Sequence, residues 1–139
     1  VVMKTSSQLS VDLIEHFYRG VLDREEYSRT IDELVAPDAL VHYVPYGGNG
    51  ADLLKKIWQT LHSAFDDLHF EVEQVLVQDD CVAVRGATSG IHAGPFAGHE
   101  PTGRRLTERA HVFYRVADGR IREVWPMVDR AALLRDLES

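Results

Sequence analysis

Near its C-terminal end the chain carries an aspartate, a histidine and an arginine, Asp129, His111 and Arg109, whose types suit the movement of a proton. A carboxylate enclosed by apolar side chains has its charged form disfavoured, which lifts its pKa from about 3.9 toward values useful near neutrality. Asp129 is then a candidate general acid/base. His111 could donate a hydrogen bond to an oxygen on which negative charge develops, and Arg109 could do the same or hold a substrate carboxylate. What would bring them together is a hairpin. Asp118-Gly119 is a strong turn signal between the alternating stretches Arg105 to Val116 and Arg120 to Val128. With Val116 opposite Arg120, Glu123 faces Phe113, Trp125 faces His111, Met127 faces Arg109 and Asp129 faces Thr107. Because strand side chains alternate, Thr107, Arg109, His111, Phe113 and Arg115 then share a face with Ile121, Glu123, Trp125, Met127 and Asp129. That face is expected to line a pocket. The opposite one, with Ala110, Val112, Tyr114, Val116, Val124 and Val128, is apolar enough for packing or a dimer contact, and a one-residue slip would exchange the two.

Each of these residues also has a simpler reading. Asp129 directly precedes a helical segment, where an aspartate serves as N-cap, and a cap at the mouth of a pocket can hold both roles. Arg115 and Glu123 read as a cross-strand ion pair. Trp125, Trp58 and Phe65 read as core, His16 and His62 as solvated helix residues, and Cys81 as a small strand hydrophobe. His42, His92 and His99 are too far apart in sequence for a metal motif, so no metal is expected.

The elements that must position these groups follow from periodicity. Apolar residues at spacings of three and four predict helices over Leu9 to Leu22, Glu25 to Val35 (ended by Pro37) and Ala51 to Phe65. Between the last two lies an extended piece, Ala39 to Tyr46, stopped by the turn cluster Gly47-Gly48-Asn49-Gly50, in which Asn49 is a candidate cap. Beyond Asp66-Asp67 the period becomes two. Strands are expected over His69 to Gln78 and Cys81 to His92, then across the final hairpin, followed by a short helix from Arg130 to Leu137. The Gly/Pro-rich stretch from Ala93 to Gly103 is the expected mobile or gating loop. Helices first and a run of antiparallel strands afterwards indicate an α+β fold, a curved sheet wrapped against a long helix with a cavity between them.

At 139 residues one domain, 1–139, is expected. The net charge of −7, from 15 Lys plus Arg against 22 Asp plus Glu, opposes binding to phosphate backbones and anionic membranes, so neither nucleic acid nor membrane is an expected partner. A single cysteine precludes an intramolecular disulfide, and no apolar run approaches the roughly 20 residues of a membrane span. A cytoplasmic location is the expectation.

Two joined motifs then suggest a family. SGIHAGPFAGHEPTGRR, followed by ADGRIREVWPMVDRAALL, resembles the SnoaL-like polyketide ester cyclases of the nuclear-transport-factor-two-like superfamily. Their pattern G-x-H-x-G-x-F-x-G-x-x-P-T-G-R is matched from Gly90 to Arg104, and D-G-K-I-x-E-x-W-x-x-x-D from Asp118 to Asp129. The segment VHYVP, containing His42, and AFDDL at the end of the third helix extend the likeness over nearly all of the chain after the first helix. The resemblance implies a cone of helices against a curved sheet (a cystatin-like α+β roll), a homodimer or larger assembly, and no metal or organic cofactor. It also implies closure of a ring in a small hydrophobic polyketide-like molecule by intramolecular aldol condensation. Asp129, ending the W-x-x-x-D motif, would remove the acidic α-proton and return it to the new alkoxide. His42 and His92 match motif histidines and are expected to line the pocket with Arg109, Trp125, Trp58, Phe113, Met127 and Phe65, beside the catalytic pair Asp129 and His111. The same scaffold hosts isomerases, dehydratases, epoxide hydrolases and non-catalytic binding modules, so these remain alternatives.

Overall fold

The computed structural model describes residues 3–44 and 50–139. In chain order the elements are α1 (Ser6–Val21), α2 (Tyr27–Leu34), β1 (Val35–Val41), α3 (Gly50–Ala64), β2 (Phe65–Gln78), β3 (Cys81–His92), β4 (Arg105–Ala117), β5 (Arg120–Val128) and α4 (Arg130–Glu138). A capping box starts α1: the Thr5 side chain accepts from the Gln8 backbone while the Gln8 side chain accepts from the Thr5 backbone. The strands form one sheet in the order β1-β5-β4-β3-β2. It is α+β, as expected, but mixed, because β1 runs parallel to β5. This strand begins at Val35, ahead of the extended piece read from the sequence, and contains Pro37. A proline is tolerated there because β1 is an edge strand whose register breaks between Val35 and Leu40. The predicted Asn49 cap and the turn cluster before Gly50 lie outside the described residues.

The final hairpin has a different register from the one read from the sequence. Asp118 and Gly119 both adopt positive φ, 55° and 72°, in a two-residue turn that pairs Ala117 with Arg120 and Val116 with Ile121. A bulge follows, leaving Arg122 as the extra residue, and beyond it Arg115 faces Glu123, Phe113 faces Trp125 and His111 faces Met127. The combined displacement is two positions at the far end, so side-chain parity there survives. Ile121, by contrast, crosses to the other face, and Asp129 donates its backbone N–H to Arg109, not Thr107.

Which face the helices cover is the larger correction. The apolar residues Ala110, Val112, Tyr114, Val116, Ile121 and Val124 lie under α1, α2 and α3, in a core completed by Ile14, Phe17, Val21, Ile31, Leu54 and Trp58. Phe113 and Met127 are 50% and 58% exposed on the opposite, uncovered face, together with His111 and Arg109. Magnitudes decide this choice. Burying one large aliphatic or aromatic side chain is favourable by about 1.5–3 kcal/mol, whereas taking each ion of the Arg109 or Glu123 kind out of water costs several kcal/mol.

At the centre of the covered face the Tyr18 and Tyr114 hydroxyls meet at 2.5 Å. Phe70 stacks flat on the Tyr18 ring, with centroids 4.2 Å apart. It can do so because Gly86 lies beneath it: a Cβ there would stand 2.7 Å from the Phe70 ring. Burial pushes the pKa of Tyr18 well above its ordinary value, against the small lowering effect of its hydrogen bond to Tyr114. Burial raises that of Tyr114 too, reinforced by the neighbouring Tyr18. Groups whose folded pKa is raised contribute stability that is complete below the unfolded value, about 10, and lost as pH rises beyond it. Melting temperature is therefore expected to fall as pH rises above about 10, the unfolded tyrosine value, and less steeply in a Tyr18→Phe/Tyr114→Phe variant. Equal slopes would show that the pair does not carry the alkaline transition.

Candidate functional site

The sheet divides the residues singled out from the sequence. On the uncovered face, the exposed Arg109 donates to Glu73 at 2.7 Å, and Glu73 also accepts from Arg85 at 3.1 Å. His42 stacks on Trp125 with ring planes 3° apart and donates from Nε2 to Glu123 at 2.7 Å. Arg115 donates to the other Glu123 oxygen at 3.2 Å, the cross-strand pair expected. The His42 hydrogen bond, helped by Arg115 and outweighing partial burial, holds the Glu123 carboxyl below the usual range. Seven expected site residues thus stand outside the covered space: Arg109, His111, Phe113, Trp125, Met127 and His42, with Asp129 at the edge. The dry pocket around Asp129 and His111 is not what this chain forms. The reason is the coverage of the even-numbered face of β4.

Trp58, Phe65 and His92 lie on the covered side. His92 is fully buried at the end of β3 beside the Phe65 ring, with centroids 5.7 Å apart. Its Nδ1 accepts the Thr102 backbone N–H at 3.2 Å, so the neutral ring carries its hydrogen on Nε2, and Nε2 has no hydrogen-bond partner among the described residues. The stretch read as a gating loop is tied down here. The His92 backbone N–H donates to Arg104 O and the His92 carbonyl accepts from Gly103 N–H, while Phe96 packs into a second core cluster with Phe65, Leu106, Leu133 and Leu137.

Helix α4 closes this end of the sheet. Arg104 donates to the carbonyls of Asp136 and Leu137 at the helix C-terminus, and the Asp129 side chain accepts from Ala132 N–H at 3.0 Å at its N-terminus. Asp129 is exposed, and its N-cap role is realised. The next residue, Arg130, lies 5.2 Å over the Phe96 ring and donates from Nε to Glu108 at 2.5 Å. Glu108 is an acid the sequence reading missed. Its side chain is only 12% exposed, and counting back by twos from Val112 through Ala110 places it on the covered face. It lines a small cavity of about 20 Å³ with Leu61, Phe65, Leu68, Thr88, Leu106 and Leu133. That is room for about one water, so a ring-sized molecule fits only if Leu133 on α4 moves aside.

A larger open cleft of about 580 Å³ lies at Arg24, Tyr27, Gln59, His62, Ser63, Asp66 and Ala93. Its charged groups are already engaged: Arg24 bonds to His62 O, Phe65 O and Asp66, and His62 donates to Val21 O at 2.8 Å. His62 is thus buried, not solvated as its sequence context suggested. Cys81 is a free, half-buried thiol whose pKa is raised by burial and by the Asp80 charge. No helix among the described residues is long and apolar enough to cross a membrane.

Comparison with known proteins places this architecture. AclR, a candidate hydroxylase from Streptomyces galilaeus, superposes with a TM-score of 0.84 at 27% identity, over 96% of this chain and 98% of its own. IdmH, a candidate polyketide cyclase from Streptomyces antibioticus, gives 0.80 at 29% identity, over 94% and 99%. A candidate SnoaL-like polyketide cyclase from a Jannaschia species shares the fold at 0.82 and 21% identity, over 100% and 99%. No curated protein matches the chain significantly. The family model of the SnoaL-like polyketide cyclases matches residues 12–137, from α1 to α4, and the chain belongs to that family.

Proposed function

We propose that the chain is a cofactor-independent cyclase-type enzyme. It closes a ring in a hydrophobic poly-keto substrate bound on the covered side of the sheet, where β4, β5 and α4 meet. The observation carrying this reading is the junction at Asp129: the last residue of the family's W-x-x-x-D motif caps α4, and the next residue, Arg130, holds the partly buried Glu108. Asp129 takes the proton from a carbon flanked by two carbonyls, and the resulting enolate delocalises into the substrate itself. The carbanion carbon attacks a ketone of the same chain, and the proton returns from Asp129 to the new alkoxide. A carbon acid of that kind needs only a modest base, so an exposed carboxylate covered by its own substrate suffices. Glu108 and Arg130 then fix the floor of the site and the position of α4. His111 faces away from this space, which leaves it outside the proton path.

The Glu108–Arg130 pair beside Asp129 also favours a second reading, epoxide opening, which on this scaffold employs two carboxylates bridged by an arginine. For assembly we propose a homodimer through the uncovered face, where Phe113 pairs with Trp125 and His111 with Met127 inside a rim of ion pairs.

Asp129→Asn is expected to reduce turnover of β-polyketo esters by about 100-fold or more while leaving the fold intact, in line with general acid–base contributions. Glu108→Gln should lower it less. Turnover of epoxides in preference to keto esters, lost equally in both variants, would select the second reading, and full activity of Asp129→Asn would remove Asp129 from the mechanism. In sedimentation at micromolar concentration the wild type should run as a dimer and Phe113→Glu as a monomer; a monomeric wild type contradicts the assembly.

A further inference from the structure

We propose that the Tyr18–Tyr114 hydroxyl pair is a binding subsite for an acceptor oxygen, a ketone carbonyl or a phenolate, on the part of the ligand remote from the reacting carbon. This rests on the reading that a keto substrate occupies the covered side. Two hydroxyl groups carry two hydrogens. The pair shares one hydrogen bond, and neither oxygen has another partner among the described residues. One O–H therefore points into apolar surroundings with no acceptor, a condition that buried polar groups rarely keep in the absence of a ligand or water.

Placement supports a role in recognition. The residues are 7% and 3% exposed, so water competes poorly for the free hydrogen. Phe17 and Phe70 are the aromatic rings against them. Phe17 is sealed in the core, whereas Phe70 keeps partial exposure, so the way in for a ligand runs through displacement of the Phe70 ring stacked on Tyr18. Asp129 lies opposite Arg109, and Tyr114 is five residues further along β4, roughly 17 Å at strand spacing. A ligand touching both is elongated. The substrate class inferred is thus an extended poly-keto chain or fused-ring phenol with an oxygen at its far end, not a compact epoxide.

The probe is 4-nitrophenol, titrated into the protein and followed by its absorbance, with nitrobenzene, which keeps the nitro group, as the ligand lacking the phenolate oxygen. Wild type is expected to bind 4-nitrophenol saturably and about tenfold or more tighter than nitrobenzene. The Tyr18→Phe/Tyr114→Phe variant, with both hydroxyls removed at nearly constant shape, should keep a cooperative melting transition and lose that preference. Asp129→Asn should bind the phenol as wild type does. Equal affinity of wild type for the two ligands overturns the proposal whatever the variant does, as does an undiminished preference in the folded double variant. Loss of the preference in the double variant with full turnover in Asp129→Asn would support the anchor and reject the proton-transfer role; the reverse pattern would reject the anchor alone.

Discussion

The alternation of side chains along β4 is the constraint from which the rest of the structure follows. Leu106, Glu108, Ala110, Val112, Tyr114 and Val116 point one way, and the helices must settle on them because that row holds the larger apolar surface. Once it is covered, the odd-numbered row with Arg109, His111, Phe113 and Arg115 faces outward, and its charges find partners on neighbouring strands. The turn at Asp118-Gly119 and the bulge at Arg122 then set which residues of β5 join each row. Polar groups on the covered side are for that reason exceptions worth explaining, among them the Tyr18–Tyr114 pair, Glu108 with Arg130, and His92.

These exceptions are distributed along the sheet in an order that suits one extended ligand. Glu108, Arg130 and Asp129 stand at the end closed by α4, and the tyrosine pair stands deeper under α1. Helix α4 is held by side chains at both ends, by Asp129 and by Arg104, and seats Leu133 over the small cavity. The same aspartate proposed to move a proton therefore also fixes the helix that closes the site.

Much of this was legible in the residues. The helical stripes, the β3 span and the Asp118-Gly119 turn were set by local periodicity and turn chemistry, and the family motif from Gly90 to Asp129 spans the elements that carry the site. The pairing within the last hairpin was not legible, because a bulge at Arg122 has no side-chain signature of its own. The covered face is hidden in the sequence for a different reason. Convergent polar groups on the odd row suggested a pocket, although the even row, with Val112, Tyr114 and Val116, was the one whose burial stabilises the fold. Glu108 carries no clear signal because it is the single acid in an apolar row. The parallel β1 depends on long-range pairing that no local pattern encodes.

The central claim is that ligand occupies the side of the sheet under the helices. Methyl-labelled protein titrated with a β-polyketo ester tests it directly, by the chemical shifts of Leu106 and Leu133 on the covered side and of Met127 on the other. Saturable shifts at the two leucines with Met127 unchanged are the predicted result. Shifts confined to Met127 would place the ligand on the uncovered face and contradict the account.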